Sequence, residues 1–168
     1  KAYVDGKKDS GADEDGGKID VVPGSELELK IKLENLYTDN EDIEINDITI
    51  EGTLEGIDDG DDIELEVEDI SIDAGKEEEI EVEFEIPLQL KEKNYELALE
   101  LDGEDDFGVN YEQNLEFEVE LDKRTHGLWL FSEVNDMVEC GDTARLDVEM
   151  VNIGKKDEEI SFSLYSDG

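Results

Sequence analysis

The stretch VVPGSELELKIKLEN, residues 21–35, decides the fold class. Pro23-Gly24-Ser25 reads as a tight turn, since proline presets φ and glycine accepts the left-handed region. After the turn Leu27, Leu29, Ile31 and Leu33 alternate with Glu28, Lys30, Lys32 and Glu34, and Asn35 closes the run. Side chains two apart lie on one side of an extended chain, so a period of two marks a half-buried strand. Ile80, Val82, Phe84 and Ile86 alternate with glutamates until Pro87 stops them; Tyr95, Leu97, Leu99, Leu101 and Leu115, Phe117, Val119, Leu121 make further rows. No window carries a 3.6-residue apolar stripe of helical length, so the chain is all-β.

Strands are expected at Ala2–Val4 with 18–22 as one interrupted strand, then 26–35, 43–51, 63–72, 77–86, 94–102 and 109–121. Seven strands joined by Asp/Gly-rich turns predict an immunoglobulin-like β-sandwich over residues 1–121. Two runs change phase: Ile43 and Ile45 give way to Ile48 and Ile50, and Ile63, Leu65 and Val67 give way to Ile70 and Ile72. Such a slip predicts a bulge that re-aims the strand.

The deciding stretch recurs in paler form as MVECGDTARLDVEMVN, residues 137–152. Gly24 and Gly141 are 117 positions apart, as are Asn35 and Asn152. A repeat at fixed spacing signals an array of similar units. Residues 122–127, DKRTHG, read as a linker, and 128–168 as the first strands of a second unit. Three strands alone would expose an open apolar face. The chain is therefore expected to be a segment of a longer protein, or to pair those strands with another copy of itself.

Acidic residues number 53 against 14 basic ones, for a net charge of −39. That surface repels phosphate backbones and anionic lipid heads, which argues against nucleic-acid and membrane-surface partners. Adaptation to high salt is the rival source of the acidity, although Lys outnumbers Arg twelve to two. No apolar run is long enough to cross a membrane as a helix.

Catalytic residues are hard to nominate. Cys140 and His126 are the single cysteine and histidine, so the chain offers no nucleophile–base pair and no His/Cys zinc set. Most carboxylates alternate outward, where nothing raises their pKa for acid catalysis. We therefore expect no enzyme activity. Three Asp/Gly clusters, at 9–17, 58–62 and 102–108, carry the oxygens and turns that Ca²⁺ takes, though none fits the EF-hand register. The best of them nominates Asp9, Asp13 and Asp15 as calcium ligands; the plainer reading is a solvated turn. Glu79, Glu81, Glu83 and Glu85 put like charges about 6.8 Å apart on one strand. If the second and fifth strands are neighbours, Lys30 and Lys32 lie across from that row. Trp129, beside Leu128, Leu130 and Phe131, makes its strand apolar on both faces and predicts packing between units or against another subunit.

With PGS, the strand-ending Asn35 and AGKEEEIEVEFEIPL (74–88) in place, the first unit resembles the tandem immunoglobulin-like repeats of S-layer and cell-surface proteins from small archaea. The second unit, through LWLFSEV and the V-x-N-x-G at 148–154, resembles the start of a CARDB-type (cell-adhesion-related) domain. The resemblance implies an extracellular, non-catalytic spacer or lattice module whose partners are neighbouring repeats of the same polypeptide. A calcium-dependent adhesion or carbohydrate-binding module, or an accessory domain of a secreted enzyme, are the alternatives. The shared motifs are structural, so no functional residues transfer.

Overall fold

The computed structural model describes residues 1–13, 16–134, 145–163 and 165, without the side chains of Asp13 and Val134. The described residues contain strands and turns and no helix. They form two compact units, Lys1–Asp122 and Lys123–Gly168.

The first unit contains β1 (Ala2–Val4), β2 (Lys7–Asp9), β3 (Ala12–Asp13), β4 (Gly16–Val21), β5 (Glu26–Glu34), β6 (Ile45–Asp58), β7 (Asp61–Ile72), β8 (Glu77–Glu85), β9 (Asn94–Asp105) and β10 (Asn110–Leu121). One sheet has the order β2-β1-β5-β8, the other β3-β4-β10-β9-β6-β7. The expected count of seven is thus corrected to ten. Ala2–Val4 and 18–22 do not form one strand: β1 pairs antiparallel with β5, whereas β4 pairs parallel with β10 in the other sheet. Between them the acidic segment, expected as a loop, forms β2 and β3. Its hydrophilic composition hid two short edge strands that bury almost nothing.

The deciding stretch folds as its residues require. Ser25 N–H donates to Val22 O at 3.1 Å across a four-residue turn, and Gly24 has φ +75° at its third position. That pattern is a type II turn with proline second, where a Cβ in place of glycine would be strained. Ser25, buried, donates its hydroxyl back to Val22 O at 2.8 Å. Leu27 and Leu29 from β5, and Val82 and Phe84 from β8, meet Ile50, Leu54, Leu97, Leu99 and Val119 of the larger sheet in one core. Burying each such side chain contributes about 1.5–3 kcal/mol.

The expected bulges are present. The β6–β7 register shifts between Ile45 and Ile48 and again between Ile48 and Ile50. Asp47 (φ 49°) and Asp69 (φ 60°) take the left-handed conformation there; aspartate tolerates it because its short side chain bonds locally.

In the second unit β11 (Leu128–Val134) and β12 (Leu146–Asn152) pair antiparallel. Of the stretch expected as a linker, Arg124, Thr125 and Gly127 accept backbone hydrogen bonds from Lys155, Lys156 and Ile153. Cys140 and the turn glycine Gly141 lie outside the described residues.

Candidate functional site

The three acidic clusters differ from one another once folded. In 58–62, Asp58 pairs with Asp61 around Asp59 (φ 53°) and Gly60 (φ 105°). Two central residues at positive φ close a tight β-hairpin, for which Asp-Gly is a favoured pair. In 102–108 the carboxylates serve as internal acceptors. Asp105, buried, takes the N–H groups of Phe107 (2.9 Å) and Val109 (3.0 Å) on Oδ1. Its Oδ2 takes the phenols of Tyr111 (2.9 Å) and Tyr37 (3.4 Å), which also bond each other at 2.7 Å. Asp106 accepts from Glu44 N–H and Asn46 Nδ2, both at 3.2 Å.

Burial pushes the Asp105 carboxyl upward. The donors on Val109, Phe107, Tyr111 and Tyr37 outweigh that and hold it below the usual carboxylate range. The Tyr111 phenol is pushed well up, first by its bond to Tyr37 and then by burial and Asp105. A carboxylate engaged by four donors is a structural hub. It ties the β9–β10 hairpin to the segment after β5. Sequence reading did not find it, because Tyr37 and Asp105 are 68 positions apart.

In 9–17, Asp9 Oδ1 accepts from Gly11 N–H at 2.6 Å and Oδ2 from Asp20 N–H at 3.5 Å. Asp13 lies on β3, paired with Gly16. Asp15, the third nominated calcium ligand, lies outside the described residues. Among the described residues no group of three or more His, Cys, Asp or Glu side chains is placed to hold a metal ion.

The expected charge pairing is observed. β5 and β8 are antiparallel neighbours with Lys30 opposite Glu81 and Lys32 opposite Glu79. Lys30 pairs with Glu28 at 2.8 Å and with Glu81, and Lys32 with Glu77 at 2.6 Å. Bonds to Glu28 and Glu81 push the Lys30 ammonium well up, and the bond to Glu77 raises that of Lys32. His126 Nδ1 lies 2.8 Å from Glu158 Oε1 within the second unit. Trp129 stacks on Phe131 with ring centroids 6.1 Å apart.

One concavity of the first unit is a cleft of about 570 Å³ between the sheets, floored by Ile31, Leu33, Leu99, Leu101 and Leu115. Lys1, Lys30 and Lys32 stand at its margin. It offers apolar contact, cations and the carboxylate of Glu34.

No protein-family model matches this chain, and no curated protein matches it. Among solved structures it is similar to Spo0M, the sporulation control protein of Bacillus subtilis, with 18% identity over 71% of this chain and a TM-score of 0.37. The match covers 49% of Spo0M, so this chain spans about half of that protein's length. At that score the likeness bears on neither fold nor activity.

Proposed function

We propose that this chain is a non-catalytic structural module of a multi-repeat cell-surface protein, an S-layer component built from tandem immunoglobulin-like sandwiches. The observation that carries the reading is a motif made twice. Asn35 Oδ1 accepts from Tyr37 N–H at 3.0 Å, and Asn152 Oδ1 accepts from Gly154 N–H at 2.9 Å. Each asparagine ends a strand, and 117 residues separate the two. The Nδ2 contacts differ: Asn35 donates to Ile43 O at 2.9 Å and Ile72 O at 2.8 Å, and Asn152 to Lys156 O at 2.8 Å. The shared bond from the residue two positions on, made at the same 117-residue spacing, supports a repeated architecture.

Strand order supports the immunoglobulin-like part. A first strand split between sheets, antiparallel to the second strand in one and parallel to the last in the other, suits that architecture, as does the β5–β8 adjacency. The function is mechanical: stacked units span distance and present a carboxylate coat. Antibodies raised against the chain should label intact, unpermeabilised cells that produce the protein, and a glycan array probed with and without Ca²⁺ should stay silent. Labelling only after permeabilisation would defeat the reading, and saturable Ca²⁺-dependent glycan binding would replace it with adhesion.

A further inference from the structure

The two sheets of the first unit have four edges. β2 and β3 form two of them with only three and two residues. The third, β8, has nine residues, and its glutamates are engaged by Lys1, Lys30 and Lys32. The fourth, β7, has twelve and pairs with β6 alone among the described residues. Every second residue of a strand turns its N–H and C=O to the same side, so half of the β7 backbone faces away from β6. Such an edge is a template for a further strand. Inward-facing Ile63, Leu65 and Val67 pack against the core yet are only half-buried. Outward-facing Glu64, Glu66 and Glu68 are exposed, and among the described residues no ion pair reaches them. The sequence has no Lys or Arg between Lys32 and Lys76 or between Lys93 and Lys123, so β6, β7, β9 and β10 supply none. Instead Glu66 stands opposite Glu51, which stands opposite Glu100. Glu68, then burial and Glu51, push the Glu66 carboxyl up, as expected of a row without a countercharge.

We infer that the free edge of β7 is a docking site for an extended, cationic segment of another protein. The guest has Lys or Arg at every second position, to meet Glu64, Glu66 and Glu68. Between them it has aliphatic residues, to complete the cover over Ile63, Leu65 and Val67. Backbone hydrogen bonds along an edge supply affinity, and alternate side chains supply specificity. Charge decides the occupant. A second copy of β7 would set glutamate against glutamate, which destabilises a cross-strand pair. The other long strands β8 and β10 have the same glutamate-rich outward face. The acidic row therefore excludes copies of this chain while it attracts a basic partner. The inference goes beyond the structural-module reading and stands without it.

The test titrates a capped eight-residue peptide of alternating Lys and Val into the full chain, followed by calorimetry and amide hydrogen exchange. Saturable binding is expected, with exchange at alternate amides between Asp62 and Glu68 slowed at least tenfold. An isomer with its four lysines in one block should bind at least tenfold more weakly. So should the same peptide N-methylated throughout, which has no backbone donors. Glu64→Gln, Glu66→Gln and Glu68→Gln together should weaken binding at least tenfold. Removing as many charges farther from the edge, with Glu96→Gln, Glu116→Gln and Glu118→Gln, should leave it within twofold. Equal affinity for the block isomer, or equal loss in the two triple variants, would overturn the site in favour of unspecific attraction to the acidic coat. Protection on β8 rather than β7, or no binding at millimolar peptide, would overturn it outright.

Discussion

Gly52 sits in the middle of β6, opposite Leu65 on one neighbour and Leu99 on the other. A Cβ there would lie 3.0 Å from the Phe84 ring and 3.1 Å from Leu65, so the glycine admits the largest fully buried side chain of the core. Gly52→Val should cost about 1–3 kcal/mol by overpacking, read from urea unfolding; an unchanged midpoint would contradict the packing. At Asp105 the argument is electrostatic. Its folded pKa is depressed, so its stabilisation is present above the unfolded value of about 3.9 and is lost as pH falls through the folded value. Asp105→Asn should be less stable at pH 7. Its deficit relative to the parent should shrink between pH 4.5 and 2.5, and a constant deficit across that window would refute the depressed pKa. Both residues looked ordinary in the sequence, because what distinguishes them is a neighbour distant along the chain.

At the scale of elements, β5 and β8 show how a strand with glutamate at every outward position is tolerated. Lys30 and Lys32 are nearly alone among β5 and β8 outward positions in carrying positive charge, and they face the Glu77–Glu81 end of the row. Removing both should expose the repulsion. Lys30→Gln/Lys32→Gln should lower the melting temperature, and by more at 10 mM than at 500 mM NaCl, because exposed charges interact less when screened. An equal loss at both salts would mean that the lysines contribute through their stems rather than their charge. This pairing was legible beforehand, since alternation assigns the face and the fold class supplies the neighbour. The split of the first strand between sheets was not. Ala2–Val4 is too short, and the 16–21 segment carries too few apolar residues, for a periodicity to assign them to opposite layers.

At the scale of the molecule, 53 carboxylates on 11,796 Å² of exposed surface are on the order of 15 Å apart, beyond the Debye length of about 8–10 Å in saline and well inside the ~30 Å of dilute buffer. Thermal unfolding should therefore shift upward from 10 to 500 mM NaCl, and divalent cations should match the shift at lower concentration. Glu66 illustrates the local cost. Glu68 first, then burial and Glu51, push its carboxyl up, so protonating it favours the folded form as pH falls. A melting temperature independent of salt would leave the acidic coat without an energetic effect.

Alternation and turn chemistry are local, so the sequence by itself determined the all-β class, the strand-ending asparagines, the bulges and the β5–β8 charge pairing. The tertiary structure alone decided the two-sheet split of the first strand and the Tyr37–Asp105–Tyr111 hub. Both depend on which distant segments become neighbours, and periodicity does not record that.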